Sequence, residues 1–156
     1  MKNHLARISL AMVLFAGAAF AQNEVVEEGR DVIQEARLEI VRSELRLTDE
    51  ETAAFWPLYL RYRAETDAVQ DRYAAMIEEY LRRYNNAELT DDYADELMAT
   101  YFGIKRELLG LQEKYLPEFR GVLPALKTAR LFQLENKINA EIDGELALVI
   151  PLVETE

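Results

Sequence analysis

The side chains that most often carry out catalysis are nearly absent from this chain. It contains no cysteine and a single histidine, His4, and the only serine beyond residue 21 is Ser43. Nucleophilic catalysis usually pairs a hydroxyl or thiol with an imidazole, and zinc usually binds thiolates or imidazoles. An enzyme built from this sequence would have to use carboxylates, lysine or tyrosine, and paired carboxylates, as in glycosidases, are the form we consider. No spacing defines such a pair, so we predict a protein that is not an enzyme and uses no cofactor or metal.

Two groups of charged or polar residues have the types that bind ligands. The acidic pairs Glu27-Glu28 and Asp91-Asp92 lack the spacing of a calcium loop and indicate charge at helix termini. The second group is a cluster in the last third of the chain, which comprises Arg130, Gln133, Glu135 and Asn136. Three interpretations of this cluster stay open: a buried polar network that fixes helix register near Trp56, a solvated helix face, or a ligand site.

The first 21 residues have the pattern of a secretory leader. A basic start precedes the short apolar stretch Ile8–Phe20, and Ala19-Phe20-Ala21 matches a small-x-small cleavage site. An uncleaved anchor is the alternative, but a bilayer span needs roughly 20 apolar residues. We therefore predict cleavage after Ala21, a periplasmic protein, and no stable membrane insertion after cleavage.

The chain beyond residue 21 is strongly acidic and has the length of one domain. It holds all 29 acidic residues and 16 of the 18 basic residues, which gives a formal charge of −13. Such a surface repels nucleic acids and anionic membranes. The expected partners are therefore proteins.

The pattern of the remaining sequence predicts an all-α fold of four helices. The apolar residues recur at helical spacing and no segment shows sustained strand alternation. The four residues Asn85-Asn86-Ala87-Glu88 suit a polar turn because asparagine readily takes left-handed conformations, so the second and third helices should form an antiparallel hairpin. The first three helices are expected over about Glu24–Leu45, Asp49–Tyr84 and Asp91–Gly121. The fourth is expected to begin at Pro124 and to lose its helical conformation at Gly144.

The start of the second helix carries the most specific local signals. Thr48 and Glu51 form a capping box, and Pro57 inside the helix should bend it. Beside it, Phe55-Trp56 is predicted to be a packing anchor, with contact to clients as the alternative. Seven-residue series run on along this helix and include Phe55 with Tyr62, and Tyr59 with later tyrosines. These tyrosines are expected to pack in a seam, or alternatively to form an adaptable binding surface.

A second proline, Pro117, lies in the third helix at the same end of the hairpin as Pro57. Two bends at similar height predict a curved hairpin with a concave face. The apolar seams of the hairpin require more cover than the first and fourth helices can provide. A homodimer would supply the rest of this cover.

At this point the sequence resembles the LTXXQ-motif family of small periplasmic proteins, the Spy/CpxP-like family. The resemblance lies in Leu47-Thr48-Asp49-Glu50-Glu51, with Glu51 in place of the glutamine, and in the order of leader, motif, long hairpin and final helix. The FWPLYxxY pattern from Phe55 to Tyr62 and the later RLFQLENK, Arg130 to Lys137, are more typical of a divergent branch.

The resemblance implies a cradle-shaped all-α homodimer that binds partly unfolded clients on a helical surface without ATP. We therefore expect a chaperone-like or stress-response protein. The alternative is a regulatory accessory that binds the periplasmic domain of an envelope-stress sensor or signalling partner. The candidate protein-binding or structural residues are Leu47, Thr48, Glu51, Phe55, Trp56, Pro57, Tyr59, Tyr62, Arg130, Gln133, Glu135 and Asn136.

Overall fold

A computed structural model describes the backbone of residues 22–155 and the side chains of residues 32–155. Over this range the regular structure is entirely helical, and the described residues contain no strand. The all-α prediction is confirmed. The predicted leader lies outside the described residues, as do the side chains of Glu27 and Glu28. The four helices are α1 (Gln22–Leu45), α2 (Asp49–Asn85), α3 (Asp91–Val122) and α4 (Ala125–Val149).

The helices form two compact units. One unit contains α1 and α4, which pack against each other. The other contains α2, α3 and the C-terminal residues from Pro151 onward. Side-chain bridges join the beginning of α2 to the end of α3, for example Arg61 to Glu118 at 2.9 Å, and farther along Arg72 to Glu107 at 2.6 Å. The second and third helices therefore form the predicted antiparallel hairpin. Among residues 22–155, no helix has the length and apolar content needed to cross a bilayer.

The beginning of α2 is fixed by the predicted capping box. The Glu51 amide donates to the Thr48 hydroxyl at 3.2 Å, and the Thr48 amide donates to the Glu51 carboxylate at 2.8 Å. These two bonds satisfy amides that have no partner inside the helix. Pro57 lies within α2, and Pro117 lies within α3. Both helices continue past their prolines.

An aromatic cluster forms the core of the hairpin at the end where α2 begins. The rings of Phe55 and Phe119 lie 5.9 Å apart between centroids, and Tyr62 contacts Tyr115 and Phe119 at 5.3 Å and 5.6 Å. Tyr59 stacks on Phe55 at 5.2 Å and is fully buried. The prediction that the tyrosine and phenylalanine series pack as a seam at this end is confirmed.

The turn between α2 and α3 differs from the prediction in one residue. The left-handed conformation belongs to Ala87, with φ of 54°, whereas Asn86 has φ of −94°. The Glu88 amide donates to the Arg83 carbonyl at 2.9 Å. This bond closes the end of the helix around the left-handed residue, as in a Schellman motif. The turn lies where it was predicted, but helix-end hydrogen bonding, and not the preference of asparagine, decides which of its residues takes the left-handed conformation.

The end of α4 also differs from the prediction. The helix continues through Gly144 and ends at Val149, beside Pro151. A single glycine inside a helix costs only about 1 kcal/mol relative to alanine, which neighbouring residues can offset. Proline ends the helix more effectively because it disfavours helical conformation in the residue before it.

Candidate protein-binding surface

The largest apolar surface that α3 leaves exposed is a stripe of four side chains. We call this stripe the α3 face; its members are 45–55% exposed and comprise Met98, Phe102, Leu109 and Leu116. They recur at intervals of four and seven residues, so they share one side of the helix. Along the axis the stripe extends about 27 Å at 1.5 Å per residue. Covering one half-exposed side chain of this size would contribute roughly 1 kcal/mol.

The orientation of the α3 face follows from what α3 buries against α2. Ile104 and Tyr115 are buried, and Tyr115 contacts Tyr62 across the hairpin. At 100° per residue, Phe102 points about 160° away from Ile104 around the helix axis. The α3 face is therefore on the outer side of the hairpin. Isolated exposed apolar residues are ordinary, whereas four of them aligned along one side of a helix make that side a candidate interaction surface.

Glycines lie along one side of this stripe. Gly103, Gly110 and Gly121 belong to α3, and a methyl group added at any of them would meet no atom within 4 Å. Glycine inside a helix costs about 1 kcal/mol relative to alanine, and no described residue packs closely against these positions. Their effect is a shallow recess beside the large side chains, where another backbone could approach closely.

Two opposite charges complete the surface. Arg106 and Glu113 lie between the apolar members of the stripe and are exposed. Within the described part of the chain, neither residue forms a salt bridge or side-chain hydrogen bond. Most other arginines of α2 and α3 do form such bridges. The α3 face therefore combines uncovered apolar area with one unpaired positive and one unpaired negative charge.

The residues predicted around the start of α2 have a structural role. Thr48 and Glu51 cap the helix, as described above, and Leu47 is half-buried. Trp56 is half-buried, with its ring edge-on to Phe55 at 5.2 Å and to Tyr59 at 5.7 Å. The rings of Phe55, Tyr59 and Tyr62 are buried and present almost no surface to a partner. Pro57 is exposed.

The polar cluster in α4 divides between two of the three interpretations, with three members on a solvated helix face and one in a buried network. Of the four residues, only Glu135 is buried, while Gln133 and Asn136 are exposed. Arg130 is exposed as well and donates to the Glu44 carboxylate and carbonyl, both at 2.7 Å. Helical spacing explains this division, because Asn136, Gln133 and Arg130 lie one, two and five positions from Glu135 and therefore point about 100–160° away from it at 100° per residue.

The buried partner of Glu135 is Arg37 on α1. Their side chains are each 1% exposed, and the guanidinium donates to the carboxylate at 2.6 Å. A second guanidinium nitrogen donates to Asn139 at 3.0 Å. The Nε atom of Arg37 is buried and makes no hydrogen bond to any described residue. This arrangement fixes the register of α1 against α4, since a shift of either helix would leave a buried charge unpaired.

The arginines of α2 do not form a basic patch. Arg61 pairs with Glu118, Arg72 pairs with Glu107, and Arg63 pairs with Asp67. On the same side of the hairpin, Lys114 and the Tyr115 hydroxyl donate to the Glu65 carboxylate, which lowers the pKa of that carboxyl below its usual value. The positive charges of this surface are balanced, so α2 offers no cationic site for an acidic partner.

A groove at the hairpin turn is too small to indicate a ligand site. Its volume is about 110 Å³, and its walls include Tyr80, Tyr93 and Val153. Sites for small molecules usually measure roughly 300–1,000 Å³. The groove adjoins the C-terminal residues, because the Tyr80 hydroxyl donates to the Pro151 carbonyl at 2.8 Å and the Tyr84 hydroxyl to Glu154 at 3.0 Å. These bonds explain the groove as packing of the chain terminus.

The side chains of residues 32–155 include no group of three or more histidine, cysteine, aspartate or glutamate residues placed to hold a metal ion. Comparison of the chain with protein-family models, with curated proteins and with solved structures gives no match.

Proposed function

We propose that this chain is a periplasmic protein that binds partly unfolded client proteins without ATP, in a chaperone-like or stress-response role. The observation that carries the proposal is the α3 face, where four apolar side chains stay half-exposed along a rigid helix. Partly unfolded proteins expose apolar segments, and an apolar stripe offers them area without requiring a fixed side-chain pattern. The leader-like N-terminus and the LTXXQ-like motif are consistent with the periplasmic part of the proposal.

The rest of the described chain adds support to binding over catalysis. Arg61 and Arg72 on α2 are paired with glutamates of α3, and the buried ion pair connects α1 with α4. Weak apolar contacts of this kind suit transient holding, because half-exposed side chains each contribute only about 1 kcal/mol when covered.

The test is suppression of aggregation by the purified protein. A heat- or dilution-sensitive protein should stay soluble in its presence at near-stoichiometric ratio and without ATP. An absence of suppression at several-fold excess, across several unrelated test proteins, would contradict the proposal.

A second candidate is a regulatory accessory that binds the periplasmic domain of an envelope-stress sensor or signalling partner. The acidic surface favours it, since the excess of 29 acidic over 16 basic residues beyond residue 21 suits one complementary basic partner better than many clients. Affinity purification from a periplasmic extract separates the two candidates. One stoichiometric partner would favour the accessory, and a broad set of unfolded proteins would favour the chaperone-like role.

A further inference from the structure

The C-terminal segment, residues 151–155, binds to the hairpin in the manner of an extended peptide. It forms no helix or strand, and two of its residues line the groove at the hairpin turn. The Tyr80 hydroxyl donates to the Pro151 carbonyl at 2.8 Å, and the Tyr84 hydroxyl donates to the Glu154 carboxylate at 3.0 Å. The segment therefore shows what this groove can bind, which is a backbone carbonyl and, three residues later, a carboxylate.

The walls of the groove belong to the hairpin. We call this site the turn groove; its hairpin residues include Tyr80, Leu89, Thr90, Tyr93, Ala94 and Leu97. The Arg83 guanidinium lies over the Tyr93 ring, 4.2 Å from its centroid, and pairs with Glu79 at 2.6 Å. The Tyr93 amide donates to the Thr90 hydroxyl at 3.2 Å. Contacts within the hairpin thus hold the Tyr93 wall in place without the C-terminal segment.

The C-terminal segment fills the turn groove incompletely. Val153 lines the groove but is 46% exposed, and the neighbouring Leu152 is 88% exposed. About 110 Å³ of the groove stays open, whereas one water molecule needs only roughly 10–15 Å³. An apolar side chain larger than valine therefore has room beside Val153.

We propose that the turn groove is a binding site for an extended segment of a partner protein, and that the chain's own C-terminal segment occupies it when the partner is absent. The partner segment supplies a backbone carbonyl to Tyr80 and a carboxylate to Tyr84. Directly before the carboxylate residue it carries a leucine or phenylalanine, which fills the volume that Val153 leaves open. The turn groove shares no residue with the α3 face, so this inference does not rest on client binding there.

The chain's own segment acts as a tethered competitor. A short tether supplies a ligand at an effective concentration of the order of 1 mM, so an untethered segment of the same sequence displaces it only near that concentration. A second copy of the chain offers the same sequence and gains no advantage. A partner with a larger apolar side chain gains roughly fourfold in affinity for each additional CH₂ group that it buries. The turn groove is thus closed to weak ligands and open to one class of stronger ones.

The site is tested by amide NMR spectra of the purified protein with added peptide. The tail variant, Val153→Asp/Glu154→Ala, removes the apolar contact and the acceptor of Tyr84 from the chain itself, and all four helices end before these residues. The probe is the peptide IPLVETE, which is the sequence of residues 150–156. Titrated to about 5 mM, above the effective concentration that a short tether supplies, it should shift amide signals within residues 80–97 of the tail variant.

Two comparisons test the competition and the open volume. The wild type should bind IPLVETE at least about tenfold more weakly than the tail variant does, because its own segment occupies the turn groove. The peptide with Val153→Phe should bind the tail variant at least about fivefold more tightly than IPLVETE, because the ring buries more apolar area.

The tyrosine hydroxyls are tested by adding Tyr80→Phe/Tyr84→Phe to the tail variant, which keeps both rings and removes both donors. Each lost hydrogen bond should weaken peptide binding about fivefold, so the pair should cost at least about tenfold. Tyr101→Phe on α3 is the matched control, since Tyr101 does not line the turn groove, and it should leave binding unchanged. Circular dichroism checks that every variant keeps its helices.

Three results would overturn the proposal. An absence of amide shifts in the tail variant at about 5 mM peptide, or binding that is insensitive to Tyr80→Phe/Tyr84→Phe, would show that the turn groove is not a peptide site. Equal affinity of IPLVETE for the wild type and the tail variant would show that the chain's own segment does not compete. Equal affinity of the two peptides would show that the open volume does not take the partner's side chain.

Discussion

The buried ion pair between α1 and α4 permits the most quantitative prediction. Glu135→Ala removes the carboxylate that binds Arg37 and leaves a guanidinium in a site where both side chains are 1% exposed. Breaking a buried pair by removing one partner usually costs about 3–5 kcal/mol. The total stability of a domain is only about 5–15 kcal/mol. We therefore expect Glu135→Ala to remove a large fraction of the free energy of unfolding.

The paired replacement should behave differently. Arg37→Met with Glu135→Leu removes both charges and fills similar volume with apolar atoms. Such exchanges are often neutral or stabilising by about 1–4 kcal/mol, and here they also remove the buried Arg37 Nε that has no partner among the described residues. The half-buried Asn139 loses its donor, which costs part of this gain. We expect a stability within about 1 kcal/mol of the wild type or above it.

The assay is urea denaturation of the wild type, both single variants and the double variant. Far-UV circular dichroism follows all helices, while the fluorescence of Trp56, the single tryptophan, follows the unit that contains α2. Arg42→Met is the control, since its pair with Glu39 is exposed on the same helix and should contribute no more than about 1 kcal/mol. A cost below about 1 kcal/mol for Glu135→Ala would refute the buried pair as the element that fixes α1 against α4.

Three further predictions concern single residues. Ala87→Gly should raise the free energy of unfolding by about 0.5–1 kcal/mol in urea denaturation, because Ala87 has φ of 54° and glycine adopts this conformation without strain. An unchanged stability would contradict the left-handed conformation of residue 87. Gly110→Ala and Gly144→Ala should each raise the free energy of unfolding by about 0.5–1 kcal/mol in urea denaturation, since both sites are open and alanine favours the helix over glycine. A loss of stability at either position would show that its site is covered. Burial of the Tyr115 hydroxyl and the hydrogen bond that it donates to Glu65 raise the pKa of Tyr115 to about 12. The stability that the protonated hydroxyl contributes is therefore present below pH 10 and is lost as the pH rises from 10 to 12. Between pH 9 and pH 11.5, the free energy of unfolding in urea should fall less for Tyr115→Phe than for the wild type. An equal fall would contradict the raised pKa of Tyr115.

The helices and their caps were predictable because their causes are local. The bond between Thr48 and Glu51 joins residues three apart, and the hairpin follows from a short polar turn between two long apolar series. The aromatic seam was predictable for the same reason, since Phe55, Tyr59 and Tyr62 recur at helical spacing. Where local signals competed, hydrogen bonding at the helix end decided which residue of the turn is left-handed, and Pro151, not Gly144, decided where α4 ends.

The candidate surface was not predicted, although its signal was present in the sequence. In α3, apolar residues occupy more positions of the seven-residue repeat than one seam can bury, and Phe102, Leu109 and Leu116 form a series of their own. Periodicity shows that such a series exists but not which series faces α2. The partner of Glu135 was missed for a related reason, because Arg37 is 98 residues away and only the packing of α1 on α4 brings them together.

The central claim, that the α3 face holds client proteins, is tested most directly by a matched pair of substitutions. Leu109→Glu places a charge in the α3 face, whereas Leu60→Glu places the same charge at a leucine on α2 that is exposed to a similar degree, 53% against 55%. Both variants are compared with the wild type for suppression of aggregation at equal molar ratio, after circular dichroism shows intact helices. The account predicts that Leu109→Glu loses most of the suppression and Leu60→Glu keeps it. Equal activity of the two variants, or a loss confined to Leu60→Glu, would contradict it.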